Sequence, residues 1–160
     1  MTAELAGPGA ATAPPWLTSV FERDDVAALP VPPTATCALH GRTTSAAVAR
    51  DFTDKTLRGW GLPHLVPDAQ VVVSELVTNA LRHAPGDGAP PIRLQLVNDR
   101  FHLGCGVSDA SERVPAVSSW SDLSESGRGL HLVDALSAAW GWMLTRGGGK
   151  VVWALLDAHG

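Results

Sequence analysis

Val71-Val72-Val73-Ser74-Glu75-Leu76-Val77-Thr78-Asn79-Ala80-Leu81-Arg82-His83-Ala84 reads as one amphipathic helix, and everything else in the chain is arranged around it. At about 100° per residue, Val72, Val73, Leu76, Val77, Ala80, Leu81 and Ala84 fall on one contiguous face. Glu75, Asn79 and His83 form an i, i+4, i+8 row along its edge, where they can face a shared cleft. A Glu at such a border can act as a general base or orient a nucleophile. An Asn oxygen can ligate Mg²⁺ without adding charge, leaving the metal free to bridge phosphates. The competing reading is a core helix with polar residues at its rim and no chemistry.

Working outward, Pro67 and Asp68 open this helix and Pro85-Gly86-Asp87-Gly88 ends it. Upstream, Thr43 or Thr44 is placed to cap a second helix running through Trp60, with Ala47, Val48, Phe52, Leu57 and Trp60 as its apolar face and Gly59, Gly61 and Pro63 as stops. Residues 36–39 suit a short edge strand. Six of the twelve prolines precede Thr34, and residues 6–15 show no periodicity, so residues 1–33 are expected to be a flexible tail in which Trp16-Leu17 and Val20-Phe21 dock at most locally. Downstream, Ile92, Leu94 and Leu96 alternate with Arg93 and Gln95, and a second run over 101–107 follows the Asn98-Asp99-Arg100 turn, which predicts a hairpin. Residues 108–126 read as a long polar loop. Gly127-Arg128-Gly129 then leads into a short helix over 130–136, and 140–145 with 150–156 form a closing hairpin around Gly147-Gly148-Gly149. The fold class expected is α+β: a two-layer sandwich of a mixed, mostly antiparallel sheet with helices on one face.

Composition narrows the function. A chain of 160 residues with 45% hydrophobic and 18% charged residues suits one globular domain. A formal charge of -4 and a pI near 5.8, without a Lys/Arg cluster, argue against a direct nucleic-acid binder. Cys37 and Cys105 are too few and too far apart for a disulfide framework and lack zinc spacing, so they are expected as reduced, buried thiols. No apolar run reaches the length of a membrane span and no signal peptide opens the chain, so a cytoplasmic location without membrane partners is expected.

Two more motifs follow the helix in order. Val107-Ser108-Asp109-Ala110-Ser111 places a carboxylate where an apolar strand ends; it can accept from an exocyclic amino group, or simply shape a turn. Ser126-Gly127-Arg128-Gly129-Leu130 opens a helix with small residues that let backbone N–H groups approach a phosphate. It is no dinucleotide fingerprint, and Gly149-Lys150, followed by Val151, is no P-loop. His83, His102 and His131 lack metal-ligand spacing, and no Gly-x-Ser-x-Gly elbow exists.

In this order, Glu75-x-x-x-Asn79, Asp109 and Gly127-x-Gly129 resemble the N, G1 and G2 boxes of the GHKL-type, histidine-kinase-like ATP-binding fold. More closely, Ser74-Glu75-Leu76-Val77-Thr78-Asn79-Ala80-x-x-His83, Asp109-x-Ser111-x-x-x-Pro115 and Gly127-Arg128-Gly129-Leu130-x-Leu132-Val133 are similar to the small anti-sigma-factor serine/threonine kinases of bacteria, above all the actinobacterial type. The likeness covers residues 36–156 and includes Ala49-Arg50-x-Phe52, Trp60-Gly61-Leu62 and Trp140-Gly141. It implies a Bergerat-type ATP-binding domain over 34–158 that takes ATP and Mg²⁺. By the resemblance Glu75 is the catalytic base, Asn79 the Mg²⁺ ligand, Asp109 the adenine-amino acceptor, and Gly127, Arg128, Gly129 and Leu130 the phosphate-facing turn, with 108–126 as lid. Here Ala110-Ser111-Glu112-Arg113 stands where the wider superfamily has two glycines.

The function so implied is a protein kinase that phosphorylates an antagonist protein and sequesters a sigma factor. The alternative is a nucleotide-gated protein-binding module with little or no kinase turnover. A histidine kinase does not fit, because no pair of long helices with a phosphoacceptor His precedes Asn79. The family often pairs through its sheet region, and Trp16, Trp60 and Trp120 are candidates for an apolar patch, which leaves a homodimer open.

Overall fold

The computed structural model describes residues 11–21, 32–41, 43–83, 90–111 and 125–159. The elements run α1 (Pro15–Phe21), β1 (Thr34–Leu39), α2 (Ser45–Gly59), a 3₁₀ turn (Pro63–Leu65), α3 (Val66–His83), β2 (Ile92–Asn98), β3 (His102–Asp109), α4 (Glu125–Leu136), β4 (Ala139–Leu144) and β5 (Lys150–Asp157). The five strands form one sheet in the order β1-β2-β3-β5-β4. The expected α+β sandwich is present, and all four strand pairings are antiparallel rather than mixed. β4 returns to the sheet beyond β5, its hairpin partner, so α4 connects strands that are not neighbours and creates no parallel pair.

Side-chain alternation assigns the two faces. On β3, Leu103, Cys105 and Val107 point to one side, and on β5 Val152, Ala154 and Leu156 do the same, joining the core built with Val72, Val73, Leu76, Val77 and Ala80 of α3. The apolar stripe read from the sequence is thus the buried stripe, each of those five helix residues being at most 1% exposed. α2 ends on a Schellman motif: Gly61 at φ +73 lets its N–H donate to Arg58 O at 3.1 Å and that of Leu62 to Leu57 O at 2.8 Å. Leu62 then packs on the same core as Leu57. Gln70 Nε2 donates to Arg50 O at 3.1 Å and ties α3 to α2. Thr44 occupies the N-cap position of α2, yet makes no side-chain capping bond; its hydroxyl donates back to His40 O at 3.5 Å.

The second sheet face overturns one expectation. Val97, Met143, Val151, Trp153 and Leu155 project there and are covered by Ala13, Leu17 and Val20. The stretch 11–21, expected within a flexible tail, is therefore part of the packed body, and helices lie on both faces. Leu17 is fully buried. Glycines on the sheet make the fit possible. A Cβ on Gly104 would stand 3.0 Å from Leu17, one on Gly106 would collide with the Phe21 ring, and one on Gly141 would collide with the Ala11 carbonyl. At Gly141 the chain closes further, with Ala11 N–H donating to Trp140 O at 2.7 Å. A helix as short as α1 is not stable alone; burying Leu17 and Val20, about 1.5–3 kcal/mol each, holds it in place.

No helix among the described residues is long and apolar enough to cross a membrane.

Candidate nucleotide site

The sheet register brings the site together. Asp109 closes β3 and Lys150 opens β5, and the two are direct cross-strand partners. Period-two alternation puts both on the helix-covered face, Asp109 in step with Cys105 and Val107 and Lys150 in step with Val152 and Ala154. Lys150 Nζ donates to Asp109 Oδ1 at 3.0 Å and Oδ2 at 2.9 Å. The side chains are 0% and 2% exposed. Ser111 N–H adds a third bond to Oδ1 at 2.7 Å, an Asx-type turn that ends the strand. Gly149, at φ +88, lets the chain pass against the Asp109 carbonyl, where any Cβ would clash. Burying a carboxylate is costly unless it is paired and hydrogen-bonded, and this one is both.

The strand-end carboxylate stands where the motif order places it, and it is already paired. Lys150 lies outside every sequence motif, since Gly149-Lys150 reads only as a failed P-loop. The signal that could have found it is a lone Lys opening an unbroken apolar strand, Val151-Val152-Trp153-Ala154-Leu155-Leu156, where a cation is buried only with a partner.

α3 packs against β3 and against α4, which gathers the three motif carriers on one side of the sheet. On α3, Asn79 is 6% exposed and its Oδ1 is buried without a hydrogen-bond partner among the described residues. One turn earlier Glu75 is half-buried, and its carboxylate has no hydrogen bond or ion pair with the described residues. An orphaned amide oxygen beside an unpaired carboxylate suits a Mg²⁺-bound phosphate: a neutral oxygen for a hard cation, and a base one helical turn away. Among the described residues no three His, Cys, Asp or Glu side chains gather into a metal-holding group, so the fit rests on Asn79.

The G2-like motif differs from expectation. α4 begins at Glu125, so Gly127, Arg128 and Gly129 lie within its first turns rather than in a turn before it. Glycine disfavours helix by only about 1 kcal/mol per residue, too little to keep these positions out of one that is otherwise anchored. The anchor is Leu130, 4% exposed, and Val133, 1% exposed, both in the main core. Leu130 thus serves packing with its side chain, and as the sixth residue of α4 its N–H lies beyond the first four that a helix leaves free for an anion. The side chains of 125–129 lie outside what is described, as does most of the expected lid, residues 112–124. The lid's ends are corrected: Ser108 and Asp109 belong to β3, and Glu125 and Ser126 to α4. Both cysteines are free thiols, Cys105 buried and Cys37 only half-buried.

No curated protein matches the chain. The family model of the histidine kinase-like ATPase domain matches residues 39–155, from the end of β1 almost to the end of β5, with α3, Asp109 and α4 inside the match. With well over half of its length matched, and with the ATP-binding architecture of that fold in its sheet and helices, the chain belongs to the histidine kinase-like ATPase domain family.

Proposed function

We propose that the protein binds Mg-ATP between α3, the Asp109 end of β3 and the start of α4, and acts as an anti-sigma-factor serine/threonine kinase of the actinobacterial type. In this reading it phosphorylates an antagonist protein and sequesters a sigma factor when the antagonist is absent. The observation that carries it is the buried Asn79 Oδ1, without a partner among the described residues, one turn from a Glu75 that is likewise unpaired among them, inside a family whose fold binds ATP. Magnesium held by Asn79 would supply charge neutralisation at the phosphates. Asp109 accepts the base amino group. The first N–H groups of α4 face the phosphates, where the helix dipole favours an anion. Glu75 accepts, or orients, the proton of the incoming protein hydroxyl. This chemistry is positioning and electrostatics, which is what a rigid helix edge can provide.

The test separates binding from transfer. Glu75→Gln should lower phosphate transfer from ATP to the antagonist by about 10²-fold or more while leaving ATP affinity nearly unchanged. Asn79→Ala should weaken Mg-ATP binding by about tenfold or more in calorimetry. A Glu75→Gln protein that transfers phosphate at the wild-type rate would falsify the kinase mechanism. A wild-type protein that grips a sigma factor in a nucleotide-dependent way without any transfer would favour the nucleotide-gated binding module. Ser111 in place of a glycine after Asp109 keeps that second reading in play, since its N–H is already bound to the carboxylate.

A further inference from the structure

We propose that Lys150 is a positioning residue that sets the base selectivity of the nucleotide site, by holding Asp109 as a fixed acceptor. The proposal rests on the reading of Asp109 as the group that meets the base, and adds a residue that the motif order does not contain.

A carboxylate has about four acceptor positions. Oδ1 receives both Ser111 N–H and Lys150 Nζ, whereas among the described residues Oδ2 receives Lys150 alone. Oδ2 therefore keeps the spare acceptor position, and the two contacts from one ammonium prevent the carboxylate from turning about its own axis. Lys150 in turn is held in place: its side chain is fully buried and it opens β5 directly opposite Asp109 in the ladder. Lys150 Nζ and Ser111 N–H present only donors to Asp109, and the ammonium offsets the buried negative charge, so the carboxylate offers the base an acceptor. An acceptor welcomes an amino function and rejects a carbonyl, because two acceptors facing each other in a dry site leave both unpaired. Without the ammonium, Asp109 loses two of its three hydrogen bonds and the charge that offsets its burial, and it swings away from its place. That removes the discrimination between amino and oxo at the purine 6-position.

The experiment compares ADP with IDP, which differ at that edge while sharing sugar and phosphates, by calorimetry on the full chain. The wild type should bind ADP at least about tenfold tighter than IDP. In Lys150→Met the two should bind within about threefold of each other, and Lys150→Gln, which keeps a donor but no charge and carries the test if the Met variant does not fold, should behave likewise. Lys150→Arg should restore the preference. A Lys150 that served only structure would weaken both nucleotides equally; a folded Met or Gln variant with the wild-type ratio overturns the proposal. Equal wild-type affinity for ADP and IDP also overturns it while leaving a nucleotide site standing. A wild type that binds neither sinks the nucleotide reading itself, and the proposal with it.

Discussion

The two faces of the sheet are built from alternate residues of the same strands, yet they do different work. On one face β3 and β5 contribute Asp109 and Lys150 beneath α3, so the packing there includes a buried ion pair and, on the helix above, an amide oxygen with no partner among the described residues. On the other face the same strands contribute Gly104, Gly106, Val151, Trp153 and Leu155, closed off by α1. The second face is filled by apolar side chains, although the indole N–H of Trp153 there also lacks a partner among the described residues. The first face gathers an unpartnered amide oxygen and a buried ion pair on the side where α3, β3 and α4 meet, which is where a polar ligand fits.

The comparison breaks most sharply at the ion pair. Lys150→Met should lower unfolding free energy by about 3–5 kcal/mol in urea titration, because it strands a buried carboxylate. Lys150→Met combined with Asp109→Leu should recover much of that loss, since no charge then remains buried. If the single substitution is neutral, the pair is not the structural tie described here.

On the opposite face Leu17→Ala should cost about 2–5 kcal/mol by the same measurement, with nucleotide affinity unchanged, as expected of a residue that only packs. Deleting residues 1–21 should be at least as damaging. A truncated chain that melts with the wild type would return α1 to the status of a loose tail.

The last effect is absent at neutral pH and grows only on the alkaline side. Burial pushes the Cys105 thiol up to about 12 from its ordinary 9.0. In the unfolded chain that thiol ionises first, so above about pH 9 the unfolded state binds fewer protons. Stability present below that pH should then be lost as pH climbs towards 12, by at most about 1.4 kcal/mol per unit. Cys105→Ala should remove this share of the alkaline slope, read as the difference between the two stability–pH curves. It also predicts that Cys105, unlike half-buried Cys37, resists thiol labelling in the folded protein at neutral pH.

Much of the helix-covered face was legible in the sequence because its signals are periodic. The stripe of α3, the alternation of β2 and the Gly61 stop of α2 each follow from local geometry, and the motif order of Glu75, Asn79 and Asp109 carried the family. α1 escaped for an opposite reason. Seven helical residues, preceded by alanines and a proline and followed by Glu22-Arg23-Asp24-Asp25, carry no period long enough to read, and Leu17 acquires its significance only from the Gly104 notch of β3. One sign was available: Val151-Val152-Trp153-Ala154-Leu155-Leu156 is apolar at every position, which is the mark of a strand covered on both faces. Gly127 and Gly129 misled in the other direction, since glycine read as a turn is overridden once Leu130 and Val133 anchor the helix to the core.

By itself the chain determined its α+β class, its elements apart from α1 and the first turn of α4, and the motif residues of the site, because helix and strand periods and turn chemistry are written in neighbouring residues. Tertiary structure alone decided that Lys150 sits on Asp109, 41 residues away, that the sheet has a second covered face, and that Asn79 is left without a partner among the described residues. Those facts depend on strand register and on which surfaces close over one another, and no local pattern encodes a contact between residues that meet only after the sheet has formed.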